Sequence, residues 1–375
     1  MQLRQYKLNK DILFNDQPFD AANLVLIFGD RALLETKDIA SKFHHQFPKA
    51  DVVFCSTAGE ILGTEVSDNS LSVTAIAFEK TTIHTQVVNI ADFKSSHEAG
   101  KHLVKVLKGN GLKHILVLAD GQLVNGSELV EGMNEELPDN ITLSGGLAGD
   151  GANFQKTLVG LNDDLKTGNI VGIGLAGENL VVGHGSNGGW DSFGPFRKIT
   201  RSKANVLYEL EGKTALDLYK QYLGDLASGL PGTALLFPLA IKLNENSDPV
   251  VRTILAVNEE DHSMTFAGNM PEGAQARLMK ANFDRLIDAA SDAASRAFTP
   301  FSAHKPQLAL LISCVGRKLV LNQRVEEEVE RVSEILGPQA KLTGFYSYGE
   351  ISPLKDSVKC DLHNQTMTIT AFSEI

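Results

Sequence analysis

Lys341-Leu-Thr-Gly-Phe-Tyr-Ser-Tyr-Gly-Glu-Ile351 joins an apolar run to a glycine-bearing turn that closes on Gly349-Glu350-Ile351. The same construction stands near the start of the chain, as Asp51-Val-Val-Phe-Cys-Ser-Thr-Ala-Gly-Glu-Ile61. A looser copy lies between the two, as Asn140-Ile-Thr-Leu-Ser-Gly-Gly-Leu-Ala-Gly-Asp-Gly151. Repeated strand-to-loop connections repeat their geometry, so the three loops are expected on one rim, and that rim is the first place to look for a ligand.

Around these stretches the order strand, helix, strand, glycine loop, strand recurs about three times. Apolar runs at 22–28, 51–54, 72–78, 82–90 and 114–119 read as strands. Residues 37–47 read as a helix with Ile39, Phe43 and Phe47 on one face, and Ser95-Ser96 caps another that Gly109-Asn110-Gly111 stops. Residues 169–175 and 180–184 read as a hairpin, and 185–200 as loop. A helix is predicted over 214–223. Strands are predicted at 234–243 and 250–257 around a turn at 244–248, and the longest helix over 272–298. The last unit, with strand 308–313, helix 324–336, strand 342–346 and strand 367–372, repeats the opening pattern. Many strands follow one another directly. The expected fold is therefore α/β, in two domains of mixed sheets covered by helices, with an internal strand–glycine loop repeat. The domains are expected at 1–212 and 213–375.

With 375 residues, 43% hydrophobic and 22% charged, the chain has the makeup of a globular protein. The net charge of −11 and the lack of a basic run argue against nucleic acid as a partner. No stretch reaches the roughly 18 apolar residues of a membrane span, and the first residues lack a signal peptide's apolar run. Cys55, Cys314 and Cys360 are far apart and odd in number, so a reduced, cytoplasmic setting is expected.

Chemistry-bearing motifs divide into those that fail in context and those that survive. Gly172-x-Gly174-x-x-Gly177 has the letters of a dinucleotide fingerprint, but a strand and not a helix follows it. His97 and His102 are five apart, about 140° around a helix, which does not make a metal pair. Glu60 and Glu350 are either catalytic carboxylates, as in a hydrolase or transferase, or acceptors for their own loops' N–H groups. The window from His184 to Arg201 holds the only tryptophan, Trp190, with Phe193, Phe196, Arg197, Lys198 and four glycines. It suits a flat, acidic, aromatic ligand, and it equally suits a connector whose aromatics plug a core.

Phe193-Gly-Pro-Phe-Arg-Lys-Ile-Thr, Asn205-Val-Leu-Tyr-Glu-Leu-Glu-Gly, Gly268-Asn-Met-Pro-Glu-Gly273, Gly344 to Pro353 and Ser144 to Gly151 together resemble the FIST (F-box and intracellular signal transduction) family. The resemblance runs over nearly the whole chain. It implies a cytoplasmic sensory protein, not an enzyme, that binds a small ligand and signals through a partner. One stand-alone bacterial subgroup of similar length is the nitric-oxide-sensing haem proteins, which act on a sensor histidine kinase or a cyclic-di-GMP enzyme; other members are thought to bind amino-acid-like metabolites. No kinase, transducer or F-box segment is recognisable in the chain. If the ligand is haem, His184 is the expected axial residue, with Tyr346, Tyr348 and Cys55 as alternatives. The expected ligand-binding set is His184, Trp190, Phe193, Arg197, Tyr346, Tyr348 and Glu350.

Overall fold

In the computed structural model, which describes residues 1–10, 14, 18–244, 247, 249–301, 304–353 and 359–375, each of the three quoted stretches is a core strand. The first two copies then cross directly into a different sheet, and the third reaches one through a longer loop. The first unit runs β1 (Gln2–Leu8), β2 (Leu24–Gly29), α1 (Arg31–Leu34), α2 (Ile39–Gln46), β3 (Asp51–Ser56), a hairpin of β4 (Glu60–Leu62) and β5 (Glu65–Ser67), then β6 (Leu71–Ala77). The second runs β7 (Thr82–Asn89), α3 (Ser96–Leu107), β8 (Leu112–Ala119), α4 (Gly126–Glu136), β9 (Thr142–Leu147), a hairpin of β10 (Val159–Leu161) and β11 (Asp164–Lys166), then β12 (Asn169–Ala176).

The third unit opens on β13 (Leu180–Asn187) and is interrupted by an inserted domain. That insert contains β14 (Asp191–Lys203), β15 (Val206–Leu210), β16 (Lys213–Thr214), α5 (Ala215–Leu223), β17 (Leu239–Lys242), β18 (Val250–Arg252), β19 (Ile254–Asn258), β20 (Ser263–Phe266) and β21 (Gln275–Lys280). The unit resumes with α6 (Phe283–Phe298), β22 (Leu308–Cys314), α7 (Val315–Leu321), α8 (Val325–Leu336) and β23 (Lys341–Ser347). It ends with a hairpin of β24 (Gly349–Pro353) and β25 (Cys360–His363), then β26 (Met367–Glu374).

The pairing scheme is the same in each unit. Two strands run parallel (β2 with β3, β8 with β9, β22 with β23), a third returns antiparallel on the first, and the unit's opening strand closes the edge. Each hairpin leaves its own unit. The β4–β5 hairpin pairs with β23, β10–β11 with β3, and β24–β25 with β9, so the units exchange hairpins in a closed cycle. Three six-stranded sheets result.

One face of each sheet meets the other two in a shared core, where Phe28 stacks on Phe345 with ring centroids 4.8 Å apart and Leu118, Ile173 and Phe372 are buried. The outer faces are covered by helices: α1 and α2 over the first sheet, through Phe43 and Phe47, and the longer helices over the other two. Each fully buried Phe or Leu of these layers contributes on the order of 1.5–3 kcal/mol.

Among the described residues the insert has eight strands, and its own core lies around Ile199, Leu207, Tyr219 and Phe266. It leaves the body at Asp191 and returns at Lys280, which face each other across the β14–β21 ladder. At its root Arg317, fully buried, donates to Glu328 at 2.7 Å, to Gly188 O at 2.6 Å and to Leu286 O at 2.8 Å. The fold is thus α/β with mixed sheets, in two domains, the body and the insert. Among the described residues, three of the four sheets combine strands from both sides of residue 212.

Four sequence expectations are corrected. Residues 169–175 and 180–184 are not a hairpin: β12 lies between β7 and β8, whereas β13 pairs with β26 in another sheet. The window 185–200 is mostly strand, because Gly194 (φ +83°) and Pro195 sit in a bulge that β14 absorbs between Phe193 and Arg197. The long helix does not begin at 272: Gln275–Lys280 alternates inside the insert's sheet, and the helix starts only where Asn282 accepts from Arg285 N as its N-cap. Residues 232–236 are a 3₁₀ turn ahead of β17. The turn expected at 244–248 lies largely outside the described residues.

Candidate functional site

Each crossover is held by a buried carboxylate. Glu60 accepts from Thr57 Oγ1 (2.6 Å) on one oxygen and from Ser70 N (3.3 Å) and Oγ (2.7 Å) on the other. Glu350 repeats the pattern, with Ser347 Oγ (2.7 Å) on one oxygen and Thr366 N (3.1 Å) and Oγ1 (3.0 Å) on the other. The third carboxylate, Asp150, accepts from Gln155 N (3.2 Å), Lys156 N (3.0 Å) and the Tyr348 hydroxyl. The donors to Glu60 and Glu350 come from the end of the strand before the crossover or the residue after it, and from the residue just before the unit's last strand. Those to Asp150 come from its own loop and from Tyr348 of another unit. Burial pushes Glu60 up to about 7 and Glu350 up to about 8, against the pull of these donors. Glu60 and Glu350 are enclosed, and neither lines any of the cavities described below.

Beside each crossover lies a seam where one unit's hairpin or crossover meets the segment after another unit's first parallel strand. Each seam has a cavity, of about 280 Å³ beside α4, about 410 Å³ beside α7 and about 490 Å³ beside α2. The cavity beside α4 is the one the insert covers. Its floor and body wall are Gly121 to Gly126, Leu147, Phe154 and Tyr348; its roof is Asn205, Leu255 and Phe266 to Gly268 of the insert. The chain folds this way here because β8 is followed by Asp120, whose Oδ1 accepts from Gln122 N and Leu123 N, and Asn125 then caps α4 by accepting from Ser127 N and Glu128 N. The roof is pinned beside it: Asn125 Nδ2 donates to Asn269 Oδ1 at 3.2 Å, and Arg252 donates to Leu362 O at 2.6 Å.

Tyr348 is the best-fixed group in this cavity. Its hydroxyl donates to Asp150 and accepts from Asp150 N and Phe154 N, both at 3.1 Å, and its ring stacks on Phe154 with centroids 4.5 Å apart and 17° between planes. Burial, reinforced by Asp150, pushes its phenol up, so it stays a donor at neutral pH.

The residues expected from sequence to form one site lie in several places. His184, on β13, faces the seam between two sheets with its ring 5.1 Å from that of His114; both its nitrogens are shut off from solvent and without a partner, although the residue as a whole is half-buried. Burial lowers its pKa to about 4. Trp190 donates Nε1 to Gln365 O (2.8 Å) and lines a separate cavity of about 230 Å³ with Met279, Val251 and His363. Phe193 packs in the insert's core, edge-on to Tyr222. Arg197 reaches Tyr222 Oη and Glu211 on the insert's surface. Tyr346 is buried and donates to Glu328 at 2.8 Å, and Cys55 is sealed in the central core. Of the expected set, Tyr348 stands in the wall of the roofed cavity.

The unpartnered nitrogens of His184 are the feature that favours a metal or haem iron. The surroundings do not fit a porphyrin: the ring lies between packed sheets against His114, α6 presses on the other face of its strand, and the cavities described here do not open on it. Among the described residues no group of three or more His, Cys, Asp or Glu side chains is placed to hold a metal ion. What sequence reasoning missed is the roofed cavity's own wall, above all Phe154, Leu123 and Leu255. Its available signals were the Gly121–Gly126 segment directly after a strand and the Gly268-Asn-Met-Pro-Glu-Gly273 motif.

Comparison with known proteins adds two findings. The family model of the FIST N domain matches residues 23–213, and that of the FIST C domain matches residues 215–353. The uncharacterized protein MJ1623 of Methanocaldococcus jannaschii is 22% identical over 325 residues, covering 79% of this chain and 60% of its own length. The chain therefore spans less than two thirds of that relative.

Proposed function

The chain belongs to the FIST family, a family of domains associated with signal transduction and small-ligand sensing, and from that premise we propose that it senses a small molecule bound between the insert and the body. The observation that carries the reading is the roof: of the three related seams, the one beside α4 is lined by residues of both domains. Ligand sites favour such clefts between domains. A ligand touching both walls changes the relative stability of closed and open arrangements, and a signalling partner then reads the difference at the surface. In this reading the chain binds its ligand without converting it, and the buried carboxylates Glu60 and Glu350 hold crossovers. A sensor histidine kinase or a cyclic-di-GMP enzyme is the class of partner that the family resemblance brings to the proposal.

The test is a metabolite library screened by thermal shift on the wild-type chain and on Ala267→Trp, which fills the roof. A hit is expected to raise the wild-type melting temperature by several degrees at about 100 times its Kd, to leave the variant unmoved, and to be recovered unchanged. Hits that stabilise both proteins equally would place the ligand elsewhere. Titration with haemin is the direct check on the haem reading: a Soret band that survives gel filtration and is lost in His184→Ala would favour it over the cleft.

A further inference from the structure

We infer that the occupant of the roofed cleft is an uncharged, flat heteroaromatic molecule that stacks on the free face of the Phe154–Tyr348 pair. This deepens the proposed function and rests on its placing of the ligand. Three observations carry it.

The first is exposed apolar surface from both domains. Leu123 of the body is 59% exposed and Leu255 of the insert is 41% exposed, and both line this cavity. Single exposed leucines are ordinary; one from each domain in the lining of one cleft that also holds an aromatic pair makes an apolar slot.

The second is Phe154 itself. Its φ is +53°, a backbone region that bulky L side chains rarely adopt. It is held there by its N–H to Tyr348 Oη and by the parallel stack with the Tyr348 ring. Strain fixed in place by several contacts at a cavity wall marks a ligand clamp. Here what it clamps into position is a flat face.

The third is the character of the polar wall. Among the described lining residues none is Asp, Glu, Lys, Arg or His. An ion in the cleft would lose water without gaining a charged partner. What remains is neutral: the Gln122 side chain, Asn205, whose Nδ2 is bound to Phe266 O and which leaves Oδ1 as an acceptor, and the backbone at Gly121, Gly126 and Gly268. The Asn125 amide is already used in capping α4 and holding Asn269. Donors and acceptors of this kind read the edge of a heterocycle one face of which lies on an aromatic ring. A volume of about 280 Å³ suits a molecule of one or two rings.

The test uses adenine as the flat, uncharged probe, benzoate as a flat, charged one and leucine as a zwitterionic, non-planar one. Each is titrated by calorimetry into the wild-type chain, Phe154→Leu, Phe154→Tyr and Ala267→Trp, with far-UV circular dichroism confirming that each variant is folded. Adenine is expected to bind the wild type at least about tenfold more tightly than either other probe. Phe154→Leu should weaken adenine about tenfold, Phe154→Tyr should restore it, and Ala267→Trp should abolish it. Absence of adenine binding, or binding indifferent to Phe154→Leu, overturns the inference. If benzoate or leucine binds better and Ala267→Trp abolishes that binding, the cleft stands as the ligand site and the chemical class is wrong. If whatever binds survives Ala267→Trp, both the class and the site fall.

Discussion

Glu350 is a carboxyl group with no route to solvent, and burial outweighs the three donors around it, leaving its folded pKa near 8 against an ordinary 4.5. Glu60 sits near 7 for the same reason. A carboxyl whose folded pKa is raised holds its proton in the native state and loses it on unfolding. Its contribution to stability is complete below the ordinary value and is lost as pH rises through the folded one. His184, lowered to about 4 by burial, and His114, also lowered, act in the opposite sense, removing stability as pH falls below 6.5. Between pH 6.5 and 8 these histidines, and His363, also lowered by burial, finish losing their protons in the unfolded chain, so their opposing effect fades and the carboxyls dominate. The melting temperature is therefore expected to fall from pH 6.5 to 8, and Glu350→Gln to flatten the upper part of that slope. A wild-type profile that is level or rises across this window would contradict the account. The donor pattern explains why sequence alone left Glu60 and Glu350 open between catalysis and structure: the Ser70 and Thr366 partners are 10 and 16 residues away and belong to no motif.

Elements are joined at the insert's root by a fully buried ion pair. Arg317 and Glu328 are both fully buried; Glu328 also accepts from Ser313 Oγ and the Tyr346 hydroxyl, and Arg317 also holds the carbonyls of Gly188 and Leu286. Arg317→Leu leaves that carboxylate buried without its cation and is expected to cost roughly 3–5 kcal/mol in chemical denaturation. The double variant Arg317→Leu with Glu328→Leu should recover part of the loss.

Which elements were legible follows from the same physics. The repeated strands were, because continuous apolar runs bounded by glycine mark buried strands wherever they pair. The partner of each strand was not, because β4, β10 and β24 leave their own units, and nothing local records an exchange of hairpins. The glycine-rich β13 read as ending early because Gly183 and Gly185 carry no side chain. A Cβ at those positions would lie 2.0 and 1.9 Å from the carbonyl oxygens of Ala297 and Ala293, so the glycines serve helix packing and not a loop. The site suffered most: its wall is assembled from segments near 121–126, 154, 205, 255, 266–268 and 348, and nothing local brings them together.

At the scale of the molecule, the body is a cycle of three units and the insert is an addition to one of them. The insert's ends face each other at Asp191 and Lys280, and each body sheet is complete without it. Replacing residues 191–280 by a short glycine–serine linker is therefore expected to leave a folded, monodisperse body by circular dichroism and gel filtration, with its ligand response lost. A chain cut after residue 212 is expected to fail, since β9 then loses β24 and β13 loses β26. Loss of the body's fold in the linker variant would contradict the two-domain description. The claim that matters most is that ligand is held between the domains, and hydrogen–deuterium exchange of the wild-type chain with and without a bound hit tests it most directly. The account predicts simultaneous protection at 121–126 and 348 in the body and at 254–256 and 266–268 in the insert. Protection confined to one domain, or centred on 184–190, would contradict it.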